Sequence, residues 1–343
     1  MRTLFKEKKR LSTGMAALSA VLLVGSTFGA SGQEVATNAL TEKELVHEIF
    51  NTMVQVHGVK PGYRVVHAKG IVCQGTFTPS KDAATISKAG HFQGAVPVTV
   101  RLSDGNPDPI IPDNTPNAGP RGMSLRFKLP NGDETDIVAL SVNGFAVSTG
   151  EEFLELQKAV VATDPTKPHP WLIEGFLGTH PSALRFVKGT QVVPASFATE
   201  SFFPNDTFIF VNQAGVKQAG RYKIIPVAGQ HDLSDEEAKT KSEGFLFDDL
   251  NTRLAAGPIE YHLLVQLPNA GDPTKDPSIV WPEDRKTIDM GTISVTSVVA
   301  DSGTAEKNLA FDPINLTDGI ELSDDPFPSL RSKVYALASA YRQ

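Results

Sequence analysis

Apolar residues fall at two different periods along this chain. Over residues 40–56, Leu45, Ile49, Met53 and Val56 recur at helical spacing, and Thr41 with Glu44 forms a Thr-x-x-Glu capping signature, which predicts an amphipathic helix. Pro61-Gly62 breaks that pattern. Beyond it come short runs of strand character at 65–77, 96–102, 123–129 and 136–141, then at 207–211, 222–227, 261–267 and 292–299. Pro, Gly, Asn and Asp clusters separate them, with Asn131-Gly132 the clearest hairpin turn. Eight strands in an up-and-down rhythm predict an antiparallel barrel. Helical patches interrupt them at 151–162, where Phe153, Leu156 and Val160 repeat, and at 234–256, which opens on a Ser-x-x-Glu box and is weakened by Gly244. Residues 301–320 read as a long irregular loop that wraps something. The fold class expected is α+β: an eight-stranded antiparallel β-barrel with added helices, in a single domain.

The N-terminus is read apart from the fold. Arg2, Lys6, Lys8, Lys9 and Arg10 precede a small apolar run at 15–28, and Ala30-Ser31-Gly32 offers small residues for cleavage. Residues 1–32 are therefore expected to be a signal peptide and 33–343 the functional domain, exported and periplasmic, with no membrane span in the mature chain. An uncleaved anchor is the alternative. A net charge of −7 argues against nucleic acid as a partner. The single cysteine, Cys73, excludes an internal disulfide; it falls on the same predicted strand as His67 and reads as a buried inert thiol. His57, His91, His169, His180, His231 and His262 show no metal-ligand spacing and read as surface or structural.

Two segments carry chemistry. In the last twenty residues, a helix would put Arg331 one turn before Tyr335 and Arg342 about two turns after it, all on one face. A guanidinium against a phenol oxygen favours the ionised form. Far upstream lies Tyr63-Arg64-Val65-Val66-His67-Ala68-Lys69-Gly70. Further blocks are Val100-Arg101-Leu102-Ser103, Pro120-Arg121-Gly122, Asp136-Ile137-Val138, Phe311-Asp312-Pro313-Ile314-Asn315 and Gly319-Ile320-Glu321.

In these blocks and their order, from about residue 45 onward, the chain resembles the haem catalase family, and most of all its short, catalase-related peroxidase branch. The resemblance implies a haem, with Tyr335 as axial iron ligand, Arg331 as its charge partner, and Arg64, Arg101 and Arg342 on the propionates. Phenolate is the rarer haem ligand, the one catalases use. The absence of any Cys-x-x-Cys-His motif excludes covalent c-type attachment, and the resemblance implies haem b. His67 would be the distal acid–base group, since one imidazole with a pKa near neutrality can take and return a proton. Ser103 would fix its tautomer. Phe145 and Phe153 match family phenylalanines that line the haem or its channel. Strand alternation alone would have pointed Arg64 away from His67.

One departure matters. In the register counted from Asp136, the family's distal asparagine falls on Leu140, which has no hydrogen-bonding atom. The expected function is thus a haem peroxidase that reduces organic hydroperoxides or hydrogen peroxide through a ferryl state, with weak catalase activity, served by an unidentified electron donor, as a monomer or small homo-oligomer. A hydroperoxide isomerase of the allene oxide synthase type and a non-enzymatic haem-binding protein of the cell envelope are the alternatives.

Overall fold

A computed structural model describes residues 39–58 and 60–342, so the expected signal peptide lies outside the described residues. The strands in chain order are β1 (Gly70–Pro79), β2 (Val96–Ser103), β3 (Gly122–Lys128), β4 (Glu134–Leu140), β5 (Val193–Pro194), β6 (Phe208–Val211), β7 (Lys217–Pro226), β8 (Asp232–Leu233), β9 (Ile259–Gln266), β10 (Thr287–Val298) and β11 (Ile320–Leu322). The helices are α1 (Glu42–His57), α2 (Ala83–Ile86), α3 (Gly150–Val161), α4 (Leu172–Thr179), α5 (Pro181–Thr190), α6 (Asp235–Lys239), α7 (Phe245–Ala256), α8 (Ser302–Asn308) and α9 (Phe327–Arg342).

Nine strands form one antiparallel sheet in the order β11-β6-β7-β9-β10-β1-β2-β3-β4. Bridges from Leu140 to Phe203 and from Phe202 to Ile224 link the far end of β4 back to β7, so the sheet curls on itself. Alternation along the strands fills the interior: Val98, Val100 and Leu102 from β2 meet Met123, Leu125 and Phe127 from β3 and Tyr261, Leu263 and Val265 from β9, all buried. Each such side chain contributes about 1.5–3 kcal/mol on burial.

The outer face of β2 is the informative one. Arg101 and Ser103 point out of the barrel yet are only 4% and 2% exposed, because helices cover them. A separate apolar cluster docks that cover: Leu45 and Ile49 of α1, Leu154 of α3, and Leu330 and Val334 of α9.

The capping box at α1 forms as expected, with Glu44 accepting from the Thr41 backbone at 2.8 Å. The Asn131-Gly132 hairpin joins β3 to β4, and Gly132 takes φ 90°, a left-handed conformation that suits glycine. Four expectations are corrected. The sheet has nine strands, not eight, because the three-residue β11 carries too little pattern to be seen. The first strand begins at Gly70, so His67 is not on the strand of Cys73 and the alternation applied to Arg64 does not hold. The 234–256 segment is two helices, with Gly244 at the N-terminal cap of α7. The loop at 301–320 contains α8. The helices α4 and α5 were not anticipated. Among the described residues no helix is long and apolar enough to cross a membrane.

Candidate active site

Between the outer face of β2–β4 and α9 lies a cleft enclosing about 850 Å3, counting its open mouth. Its floor is a cross-strand grid: Ser103 pairs with Gly122 and Gly122 with Leu140, while the neighbouring row runs Arg101, Ser124, Val138. Tyr335, Ala338, Ser339 and Arg342 of α9 face the floor, and small residues on that helix leave the space open.

His67 enters from the loop before β1. Its φ of 57° is left-handed, uncommon for a residue with a side chain and held here by its neighbours. His67 N donates to Gly105 O and Ala68 N to Asn106 O, both at 3.1 Å, while Asp104 N donates to Lys69 O at 3.0 Å. The bend turns the imidazole onto the cleft floor, where Nδ1 lies 3.1 Å from Ser103 Oγ. A side chain at Gly122 would put its Cβ 2.9 Å from that Nδ1 and 2.8 Å from Ser103 Oγ, so the ring sits where only glycine admits it. Burial, then the guanidiniums of Arg101 and Arg64, push the His67 imidazole down to about 3. It is neutral at physiological pH and able to accept a proton.

On the opposite wall, Arg331 Nη2 donates to Tyr335 Oη at 3.1 Å, the one-turn relationship read from the sequence. Arg331 Nη1 reaches Asp206 Oδ2 at 2.6 Å. Burial alone would lower the Arg331 pKa, but the Asp206 carboxylate and the Tyr335 hydroxyl outweigh it and hold the charge above its usual range. The helix itself is pinned: Asp325 Oδ1 accepts from Phe327 N at 2.9 Å, and Ser332 Oγ donates to Asp312 Oδ2 at 3.0 Å. Asp312 N in turn donates to Asp136 Oδ2 at 3.0 Å, and Arg126 grips Asp136 with two bonds of 2.8 and 2.7 Å. Two of the sequence blocks singled out above therefore meet to fix α9 against β4.

Arg64, Arg101 and Arg342 all line the cleft. They converge on α8: Arg101 Nε donates to both carboxylate oxygens of Glu306 at 2.7 and 2.8 Å, Arg64 Nη2 to Glu306 Oε2 at 3.4 Å and to Leu309 O at 2.6 Å, and Arg342 Nη2 to Leu309 O at 3.2 Å. Arg101 Nη2 also donates to His67 O at 2.7 Å. Burial, then Arg101, lowers the Arg64 pKa to about 9, which leaves it charged at neutral pH.

The structure thus brings His67, Ser103, Arg64, Arg101, Tyr335 and Arg342 to one cleft, with Arg331 behind Tyr335. Phe145 and Phe153 do not line it. They pack on each other with ring centroids 5.6 Å apart, and Phe145 packs edge-on to Phe327 at the start of α9, 5.0 Å away. Leu140 does line the cleft and adds to an apolar wall with Val138 and Phe311. Sequence reasoning missed Glu306, Asp206 and Gly122. Of these only Gly122 falls in a block singled out from the sequence, Pro120-Arg121-Gly122, just ahead of the run at 123–129; it is the first residue of β3.

The family description that matches the chain is Catalase, over residues 46–343. The chain is 35% identical over 289 residues to a catalase-related peroxidase of Mycolicibacterium paratuberculosis, covering 83% of this chain and 90% of that protein. It is 32% identical over 300 residues to a catalase-related peroxidase of Synechococcus elongatus, covering 86% and 88%. Similarity to Catalase-1 of Arabidopsis thaliana is lower, 26% over 308 residues, covering 81% of this chain and 59% of the plant protein.

Proposed function

The chain belongs to the catalase family of peroxide-acting oxidoreductases, and we propose that it is a haem b peroxidase of low catalase activity that accepts organic hydroperoxides. The observation that carries this reading is the opposition of two assemblies across one cleft: His67 with Ser103 on the barrel side, Tyr335 with Arg331 on α9.

The cleft suits a haem on two counts. Tyr335 offers an oxygen ligand backed by a fixed cation, and among the described residues three guanidiniums face one carboxylate, an excess that favours an anionic ligand edge. Arg342 Nε is buried and has no hydrogen-bond partner among the described residues. When bound, haem supplies the redox equivalents for reductive cleavage of the peroxide O–O bond. Tyr335 would ligate the iron, and Arg64, Arg101 and Arg342 would hold the propionates.

The protein's own residues handle the protons. In the proposed tautomer Nδ1 donates to Ser103 Oγ, which leaves His67 Nε2 as the basic ring nitrogen. It takes the proton from the near peroxide oxygen and returns it to the departing oxygen, so that water or an alcohol leaves instead of an anion. The depressed His67 pKa keeps Nε2 free to begin that cycle and makes the protonated ring a strong acid for its second half. Leu140, Val138 and Phe311 exclude water and favour an alkyl group on the peroxide.

The test is an optical spectrum of the purified protein followed by assays with hydrogen peroxide and cumene hydroperoxide in the presence of a dye donor. A haem spectrum, dye oxidation and conversion of cumene hydroperoxide to its alcohol are expected. Product without consumption of the donor would point instead to rearrangement of the hydroperoxide.

A further inference from the structure

Glu306 sits at the centre of the arginine cluster and has no part in the proton chemistry. Its carboxylate takes the Nε of Arg101 and the Nε and Nη2 edge of Arg64, while its backbone carbonyl accepts from Arg64 Nη2 and Arg342 Nη1 at 3.5 Å. These are the inner edges of the forks. Among the described residues the Nη1 groups of Arg101 and Arg64 make no hydrogen bond, and both side chains line the cleft. The barrel makes room for this contact: a Cβ at Gly70 would collide with Arg101 Nη2 and Glu306 Oε1. Glu306 itself is only 17% exposed in its side chain, so its charge is felt locally.

Resting on the reading of the cleft as a haem site, we propose that Glu306 is the positioning residue of the propionate cradle. It holds Arg101 and Arg64 by their inner edges, so that their free N–H groups converge on a ligand carrying two carboxylates. Three guanidiniums and one carboxylate leave two positive charges, the match for a dianionic edge. Without Glu306 three like charges would crowd one site and splay apart, and the cradle would lose its geometry though it gained charge. Because Arg101 also bonds His67 O, the same carboxylate ties the cradle to the backbone bend that aims the imidazole.

The experiment separates the cradle from iron ligation by using iron-free porphyrins. Full-length protein freed of haem is titrated with protoporphyrin IX and with its dimethyl ester, binding being followed by porphyrin fluorescence. The unaltered protein is expected to prefer the diacid. In Glu306→Gln, which keeps the shape and loses the charge, that preference should fall about tenfold, the scale of one lost charge-assisted contact. Glu306→Asp keeps the charge but cannot reach both inner edges, so its preference should fall by a smaller factor; it decides the matter if the glutamine variant does not fold. An undiminished or larger preference for the diacid in the variants overturns the role of Glu306 alone. If the unaltered protein binds neither porphyrin, the tetrapyrrole reading fails and takes this inference with it.

Discussion

Asp206 and Arg331 form a buried pair, 2.6 Å from Oδ2 to Nη1, placed so that the guanidinium's other end meets Tyr335 Oη. The carboxylate aims the cation, and the cation aims the phenol. Tyr335→Phe removes the single oxygen at the end of that relay. Haem retention should fall sharply and the absorption spectrum change, while α9 stays docked through Leu330 and Val334. Unchanged haem content would show that iron is held elsewhere.

Replacing His67 with Ala should leave haem in place and slow peroxide cleavage about a hundred- to ten-thousand-fold, the usual range for a lost acid–base group. The unaltered protein should show no break in kcat/KM near pH 6.5, the ordinary histidine value, because the imidazole is held down to about 3 and stays neutral across that range. A stopped-flow rate that rises through pH 6.5 would assign the base to another group.

Gly122→Ala tests the packing that seats His67. A methyl group there would press on Nδ1 and on Ser103 Oγ at 2.9 and 2.8 Å, so the ring must shift. The expected loss is up to about a hundredfold in peroxide cleavage, with the fold and haem content kept. Full activity in this variant would mean the ring position is not critical.

Leu140 ends β4, two strands from Ser103, which by strand spacing is roughly 10 Å away across the cleft floor. Asn at this position would add a group able to orient a second hydrogen peroxide. Oxygen evolution relative to dye oxidation should rise about five- to tenfold in Leu140→Asn, the value of one net hydrogen bond. The ratio is read with an oxygen electrode beside a dye assay, and a fall or no change counts against the substitution's role.

Glu200 offers a stability test away from the cleft. Burial raises its carboxyl to about 8, against a pull from Arg121 in the other direction. The folded protein therefore keeps a proton that the unfolded chain releases near 4.5. Glu200's contribution is fully present below that value and is lost as pH rises toward 8. Glu200→Gln should narrow or reverse any deficit against the unaltered protein between pH 5 and pH 8, as measured by thermal midpoints. A difference that does not move with pH would contradict the buried, protonated acid.

Much of the fold was legible because the barrel interior imposes alternation: Val98, Val100 and Leu102 face in, while Arg101 and Ser103 break the apolar run and so announce themselves. The Thr41–Glu44 box and the Arg331–Tyr335 spacing were legible for a similar reason, since both are local. What was not legible depends on partners distant in sequence. Val65-Val66 are β-branched and read as strand, yet pairing of residues 67–69 with 104–106 bends the chain at His67 instead. The helix α8 has no buried residue and hence no apolar stripe, so its period was invisible and Glu306 with it. Asp206 gave no sign of its role because nothing near it in sequence says that Arg331 will arrive from α9.

The two walls of the cleft come from opposite ends of the described chain, His67 just before β1 and Tyr335 on α9, with the whole barrel made in between. Such a site cannot be assembled piecemeal. A chain in which α9 is undocked would keep His67, Arg64 and Arg101 at the cleft but lack Tyr335, the iron ligand of the proposed reading. On the proposed reading, the redox chemistry of the cleft would require α9 to be docked, because Tyr335 comes from that helix.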